Sequence, residues 1–387
     1  MTRQITNAPF PEWKHLLKVI LDFDSVDDDK ILDTWLKGED FGFLLSRSAW
    51  SLSIIAQIRH LITQSEVCVW LPDYFCNSSI APLRELDTNL VFYPILDDGS
   101  PNIEVCNELL NQYSPPDLFI AVHYFGYLVD LKETSEFVEA HKSWLVEDAA
   151  HILLPDKRLG IYSHYLIFSP HKFLPIPQGA ILVVKRDKLE KEYNLTPLQF
   201  QTCYEDLLIN TKKNNLVDLT WVIKRSLQKL GFKNPLRKKE NFSSDEFIMD
   251  TKKFISPKMT RFSKKLLSLL VESFDQEIRT RKENYKNWKA SMKKVFRESK
   301  EIFNQSDNPL PYVLGLTFPN ESKAQAAFLY LQNLRIPVSS WPDLPPEAIS
   351  NSENHKLAIT LRQSSIFLPV HKSINLELIR SFPGLNR

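Results

Sequence analysis

Glycine is the residue this chain most lacks. It occupies 9 of 387 positions, where an average usage of roughly 7% would give about 27. Phosphate-binding loops of the G-x-G-x-x-G or G-x-x-x-x-G-K-[ST] kind need several glycines within a few residues, and no window here has them. Glycine-rich linkers and collagen-like repeats go with them. A phosphate bound by this protein is bound without a glycine-rich loop. Net charge of one sign is also missing: 48 Lys+Arg stand against 47 Asp+Glu, so no overall field draws the chain onto nucleic acid or an anionic membrane. The four cysteines, Cys68, Cys76, Cys106 and Cys203, show no C-x-x-C or zinc-like spacing. That argues against a disulfide framework and makes a reducing cytoplasm the expected compartment. No run approaches the roughly 18 apolar residues of a membrane span. Glu12, Lys14, His15 and Lys18 interrupt the first 23 residues, against a signal-peptide core. The expected partners are small molecules, with no nucleic acid and no membrane.

What is present reads as a globular chain, 43% apolar and 25% charged, long enough for one large α/β domain with an appendage. Residues 1–40 look helical. Ser46 or Ser48 is placed to cap a helix that repeats Ala49, Leu52, Ile55, Ala56, Ile58 and Leu61 at near-helical spacing. Short apolar runs follow at Val67–Leu71, Leu90–Ile95, Leu118–Val122, Trp144–Val146, Leu166–Phe168 and Ala180–Val184. Such runs suit strands buried on both faces, and the helical intervals between them indicate βαβ units with a mainly parallel sheet. The organisation expected is a helical segment over 1–40, a large domain over 41–230, a helical connection over 231–305 and a smaller C-terminal α/β domain over 306–387. Within the connection, residues 235–258 form a polar interruption, and Phe262 to Phe303 is one long helix candidate broken once. The last unit alternates strand Tyr312–Thr317, helix Ser322–Leu334, strand Ile336–Val338, helix His355–Leu361, strand Ile366–Val370 and helix Ile374–Phe382.

In an open parallel sheet, ligands gather at the carboxyl ends of the strands. Those ends carry Asp73, Tyr74 and Phe75; His123 and Tyr124; Glu147, Asp148 and His151; then Ser169, His171 and Lys172. The helix opened by Ser46–Ser48 would aim its first amides at the same rim, an anion site needing no glycine loop. A metal reading of His123, His151 and His171 has little support, since no pair stands at i, i+4. The basic stretch Arg279–Arg297, with Tyr285 and Trp288 interleaved, reads as the solvated face of a long helix rather than a nucleic-acid surface.

Three segments carry a family resemblance: Val146-Glu147-Asp148-Ala149-Ala150-His151, Phe168-Ser169-Pro170-His171-Lys172 and Gln178-Gly179-Ala180-Ile181-Leu182. Together they resemble fold-type I pyridoxal-phosphate enzymes, closest to the DegT/DnrJ/EryC1/StrS aminotransferases, which act mostly on keto sugars attached to nucleotides. Ser46-Arg47-Ser48-Ala49 stands where that family has a Ser-Gly-Thr-Ala-like helix start, and Leu71-Pro72 and Val122-His123-Tyr124-Phe125-Gly126 add support. The likeness covers about residues 40–190, with weaker fragments from Arg281 to Trp288 and at Leu368-Pro369-Val370-His371.

The resemblance implies a fold-type I architecture: a mainly parallel, seven-stranded type of sheet flanked by helices, with a smaller C-terminal α/β domain. The implied cofactor is pyridoxal 5'-phosphate, and the implied reaction moves an amino group from an amino acid donor to a keto acceptor. Lys172 would be the catalytic residue, forming a Schiff base and moving a proton. Asp148 would keep the cofactor's ring nitrogen protonated, with His151 near the ring hydroxyl. Ser169 and the amides of Ser48 and Ala49 would take the phosphate, Tyr74 or Phe75 would lie on the ring face, and His123 would stand close by; strict register with the family puts Cys76 on the ring face instead. The sites of this family are completed across a homodimer. Departures are specific. The Ser-to-lysine interval is three, as in class V aminotransferases and cysteine desulfurases, where DegT-type enzymes have five. The family's Gly-Glu-Gly-Gly run is reduced to Pro177-Gln178-Gly179-Ala180, and its Asn-Tyr-Arg segment is absent. Two other readings therefore stand beside transamination: a lyase, desulfurase or dehydratase using the same cofactor, and a non-catalytic binding protein of this fold.

Overall fold

The computed structural model of the chain describes residues 6–193, 195–210, 216–232, 242, 256–303 and 310–374. Short runs of Val, Ile, Leu and Phe between polar turns form seven strands: β1 (Phe41–Leu45), β2 (Val67–Pro72), β3 (Thr88–Tyr93), β4 (Leu118–Val122), β5 (Trp144–Ala149), β6 (Tyr165–Phe168) and β7 (Ala180–Val184). They make one sheet in the order β1-β7-β6-β5-β4-β2-β3. From β3 to β6 every pairing is parallel, while β7 runs antiparallel to both β6 and β1. The sheet is thus mainly parallel, and its central strands are buried on both faces, as continuous apolar runs require. The strand that sequence patterning passes over is β1. Gly42 interrupts its apolar run, and pairing with β7 is what makes it a strand: a Cβ at Gly42 would stand 2.7 Å from the Leu182 carbonyl oxygen.

The helix Ser48–Thr63 follows β1 and is buried on nearly every side. Neither serine caps it. Arg47 is the N-cap residue, with no side-chain cap bond, and Ser48 is the first helical residue. Ser46 bonds elsewhere. Its N–H donates to Pro257 O at 2.8 Å and its Oγ to Ser256 O at 2.6 Å, tying residues 256–258 against the end of β1. Most of the expected polar interruption at 235–258 lies outside the described residues.

The long helix candidate is two helices, Arg261–Val271 and Phe274–Val295, with Glu272 and Ser273 between them. Its last stretch instead supplies β8 (Lys300–Glu301), which joins β9 (Val313–Thr317) and β10 (Ser365–Pro369) in an antiparallel sheet of order β10-β9-β8. Helices Glu321–Asn333 and Lys356–Ser364 complete this unit. The run expected as a strand at 336–338 makes only one bridge nearby, Ser339 to Phe367. The expected helix Ile374–Phe382 lies, beyond Ile374, outside the described residues. Trp288 and Met292 from the long helix pack with Leu316, Phe328 and Leu368 in the C-terminal core. Trp341 and Phe367 instead join the core of the large sheet, and that brings the C-terminal unit over the sheet's rim. No helix of the described residues is long and apolar enough to cross a membrane.

Gly315 lies at the centre of the small sheet, where a Cβ would meet Ile302 Cγ2 at 2.3 Å and Phe367 Cε1 at 3.0 Å. Gly315→Ala should cost about 1–3 kcal/mol by overpacking, seen as a lower urea midpoint with an unchanged slope; an unchanged midpoint contradicts this packing.

Candidate active site

The carboxyl ends of β4, β5 and β6 lie side by side, and the residues just beyond them meet. Asp148 is buried at the end of β5, its Oδ1 accepting the Ala150 N–H at 2.9 Å. Its second oxygen has no hydrogen-bond donor among the described residues. Burial pushes the Asp148 pKa up, while the charge of Lys172 and the Ala150 N–H pull it back. Lys172 sits in the one-turn helix Pro170–Phe173 after β6. Its Nζ is 3.0 Å from His151 Nε2.

The protons on this pair follow from the backbone. The Phe125 N–H donates to His151 Nδ1 at 3.3 Å, so the neutral ring carries its own proton on Nε2. That proton points at Lys172 Nζ, and the amine accepts it only with a free lone pair. Burial drives both groups the same way: His151 is held well below the usual imidazole range, and Lys172 is lowered by burial against the opposing pull of Asp148. Burial and the His151 Nε2–H both favour the neutral amine at Lys172, the form that attacks a carbonyl carbon, while Asp148 opposes them.

The imidazole is clamped between two rings. Phe125 stacks on one side at 5.4 Å and 15°, Tyr312 on the other at 4.7 Å and 13°, and Trp341 stands edge-on at 6.0 Å. Phe125 reaches its position through a left-handed backbone, φ +55°, before Gly126 at φ +100°; a bulky residue adopts this conformation only where its surroundings over-determine it. Here the Phe125 N–H goes to His151 and its carbonyl accepts the Tyr312 N–H at 3.1 Å. Buried Arg281 fastens the arrangement from below. It pairs with Glu277 at 2.8 Å and donates to Tyr312 O at 3.0 Å and Phe173 O at 2.6 Å, so one guanidinium holds the lysine's helix and the tyrosine on His151.

At the neighbouring strand end, Ser169 is fully buried and its Oγ has no hydrogen-bond partner among the described residues. Ser48 and Ala49 are the first two residues of their helix, positions whose N–H groups have no intrahelical acceptor. Three expected site residues do not join this group. His123 lies on the other face of the sheet, because Glu147 and Asp148 are successive strand residues and point oppositely. His123 Nε2 is 3.1 Å from Glu147 Oε2, and its Nδ1 accepts the Val129 N–H at 3.2 Å. Tyr74 is enclosed, stacked on Trp341 at 4.5 Å and 15° with Tyr124 and Phe303 around it. Phe75 is buried in the same core, so neither offers a free ring face. From that loop it is Cys76 that lies near enough to Lys172 for a thiolate to favour the ammonium form. Only strict counting against the resembling family points to Cys76, and nothing in the local sequence singles out Tyr312.

No family model matches this chain, and no curated protein matches it. The likeness lies in solved structures. Spr1654 of Streptococcus pneumoniae, a candidate sugar aminotransferase, in its PMP form, superposes with a TM-score of 0.69 at 12% identity, covering 97% of this chain and 95% of that one. PseC of Helicobacter pylori, an aminotransferase involved in the biosynthesis of pseudoaminic acid, gives 0.66 at 13%, covering 98% and 96%. A DegT DnrJ EryC1 StrS aminotransferase from Brucella abortus gives 0.64 at 12%, covering 96% and 95%. At these identities the finding concerns architecture: the whole chain has the fold of these aminotransferases.

The Lys172 amine should titrate below the ordinary lysine value near about 10.4, and Asp148→Asn should lower it further by removing the charge that favours the ammonium form. Methylation of Lys172, followed by mass spectrometry across pH, reads both shifts; a rise in Asp148→Asn contradicts the coupling.

Proposed function

We propose that this protein is a pyridoxal-phosphate-dependent aminotransferase that moves an amino group from an amino acid to a keto acceptor, expected to be a nucleotide-linked keto sugar. The observation that carries the reading is the set Lys172, His151 and Asp148: a buried amine whose charged form burial disfavours and a buried carboxyl with one oxygen that no donor among the described residues engages, at the carboxyl edge of a parallel sheet. The orphaned Ser169 Oγ is the test of fit, since a fully buried hydroxyl without a partner costs stability unless a ligand supplies one. The residues fit the cofactor. When bound, it supplies an electrophilic aldehyde and a pyridine ring that stores an electron pair once protonated.

The chain's own groups divide the remaining work. Lys172 would be the residue that holds the cofactor covalently, and its Nζ would move the proton at the donor's α-carbon. Asp148, through the oxygen that no donor among the described residues engages, would hold the ring nitrogen in its protonated form. His151, fixed by Phe125 and Tyr312, orients the amine through Nε2. Ser169 and the amides of Ser48 and Ala49 hold the phosphate. The aromatic cluster Tyr74, Phe125, Trp341 and Phe367 keeps water from the reacting centre. A homodimer is proposed with this reading, as the family resemblance implies, and a cytoplasmic location, which four free cysteines at scattered positions support. Sedimentation should give twice the 45.0 kDa chain mass; a stable monomer contradicts the dimer.

Elimination with the same cofactor is the second reading, favoured by the three-residue interval from Ser169 to Lys172. Addition of pyridoxal phosphate should turn the protein yellow, and an amino acid donor should bleach it by converting the cofactor to its amine form. A colourless protein that takes up no cofactor overturns both readings; a yellow one that no amino donor bleaches overturns transamination. Asp148→Asn should keep the colour and lose turnover by about a hundredfold or more; full activity in that variant removes Asp148 from its role.

A further inference from the structure

The corner of the site formed by β1, β7 and β6 holds a cation with no acid partner among the described residues. Leu45 pairs with Ala180 and Phe168 with Ile181, so Ser46-Arg47, Gln178-Gly179 and Ser169 emerge at one end of three neighbouring strands. Backbone bonds lock them together: the Gly179 N–H donates to Ser46 O at 3.1 Å, and His171 Nδ1 lies 2.7 Å from Gly179 O. Arg47 stands at the start of the helix Ser48–Thr63 with no side-chain bond to it. No carboxylate of the described residues pairs with its guanidinium, which burial holds below its ordinary pKa.

Arg47 is half-buried, and the four buried arginines among the described residues are provided for: Arg362 donates to Phe242 O at 3.1 Å, and the others are paired as well. Arg59 has Asp117 at 3.0 Å, Arg281 has Glu277 at 2.8 Å, and Arg225 donates to Gln228 and to backbone carbonyls. Arg47 has none of this, and its charge acts on Lys172 and His171. Its neighbours are donors as well. Gln178 is fully buried with Nε2 unpartnered, its Oε1 being engaged by the Thr260 N–H at 3.2 Å. Ser169 Oγ is equally orphaned. A guanidinium, an amide, a hydroxyl and a helix start are thus carried by residues at the ends of three neighbouring strands. Two buried donors without acceptors among the described residues are costly, and one anion with several oxygens relieves both and pairs the half-buried Arg47 guanidinium.

We propose that Arg47 and Gln178 are phosphate ligands, which with Ser169 and the first amides of the helix Ser48–Thr63 hold the cofactor's phosphate by side-chain donors in place of a glycine loop. This rests on the cofactor reading above and adds the residues that bind the anion.

The test compares pyridoxal phosphate with pyridoxal, which lacks the phosphate, by absorbance titration of the wild type and Arg47→Gln. The variant should bind pyridoxal phosphate about tenfold more weakly or worse and pyridoxal within about twofold of the wild type. Equal weakening of both ligands, or of neither, overturns the proposal. A wild type that binds neither ligand condemns the function reading instead, so the two failures are separate. Inorganic phosphate should also raise the urea midpoint of the unliganded wild type and leave that of Arg47→Gln unchanged. Should the variant not fold, the wild-type arm decides: no stabilisation by phosphate overturns the anion site.

Discussion

A lysine amine is a nucleophile only while it has a lone pair, and the surroundings of Lys172 work to leave it one. The Phe125 amide claims Nδ1 of His151, which puts the ring's proton on Nε2 and turns it toward the amine. Burial does the rest, disfavouring charge on both groups. Much of the neighbouring architecture serves this contact. The left-handed backbone at Phe125 aims the amide, Tyr312 closes the other face of the imidazole, and Arg281 binds the carbonyls of Tyr312 and Phe173 together. Tyr312 and Arg281 belong to segments far from the lysine in sequence, so the site exists only when the C-terminal unit sits over the rim of the sheet.

Charge in this rim is segregated by strand geometry. Alternation along β5 sends Asp148 to the lysine and Glu147 to the opposite face, where His123 meets it. Asp148 thus keeps one oxygen that no donor among the described residues engages, while Glu147 is taken up by His123 and the Gly160 N–H. On the far side of the lysine the groups are nearly all donors. On the proposed reading, the Asp148 carboxyl, the Lys172 amine and these donors suit a ligand with a basic ring nitrogen, an aldehyde and a phosphate. The shortage of glycine is consistent with this layout, because the donors come from side chains and a helix start rather than from a flexible loop.

Much of this is legible in the sequence, for physical reasons. Buried parallel strands announce themselves as unbroken apolar runs, and residues just past them are where ligands bind, so pattern places Asp148, His151, Ser169 and Lys172 in a longer set of strand-end residues from which the family resemblance picks them out. What escapes depends on pairing and tertiary contact. β1 is hidden by Gly42 and exists through β7. His123 stands apart from the site because its side is set by strand parity, one residue off from Asp148. Tyr74 and Phe75 stand at a strand end as expected, yet their rings are claimed by Trp341 and the core, which no local pattern shows. Ser46 has the spacing of a cap and instead anchors residues 256–258. Arg47, in sequence one residue of a helix start, gains its meaning from having no acid paired with it among the described residues.

The most direct measurement is to incubate the protein with pyridoxal phosphate, reduce with borohydride and map the labelled peptides by mass spectrometry. The account predicts one pyridoxyl group per chain, on Lys172, and none in Lys172→Ala. Label spread over exposed lysines, or a principal adduct elsewhere, would contradict it.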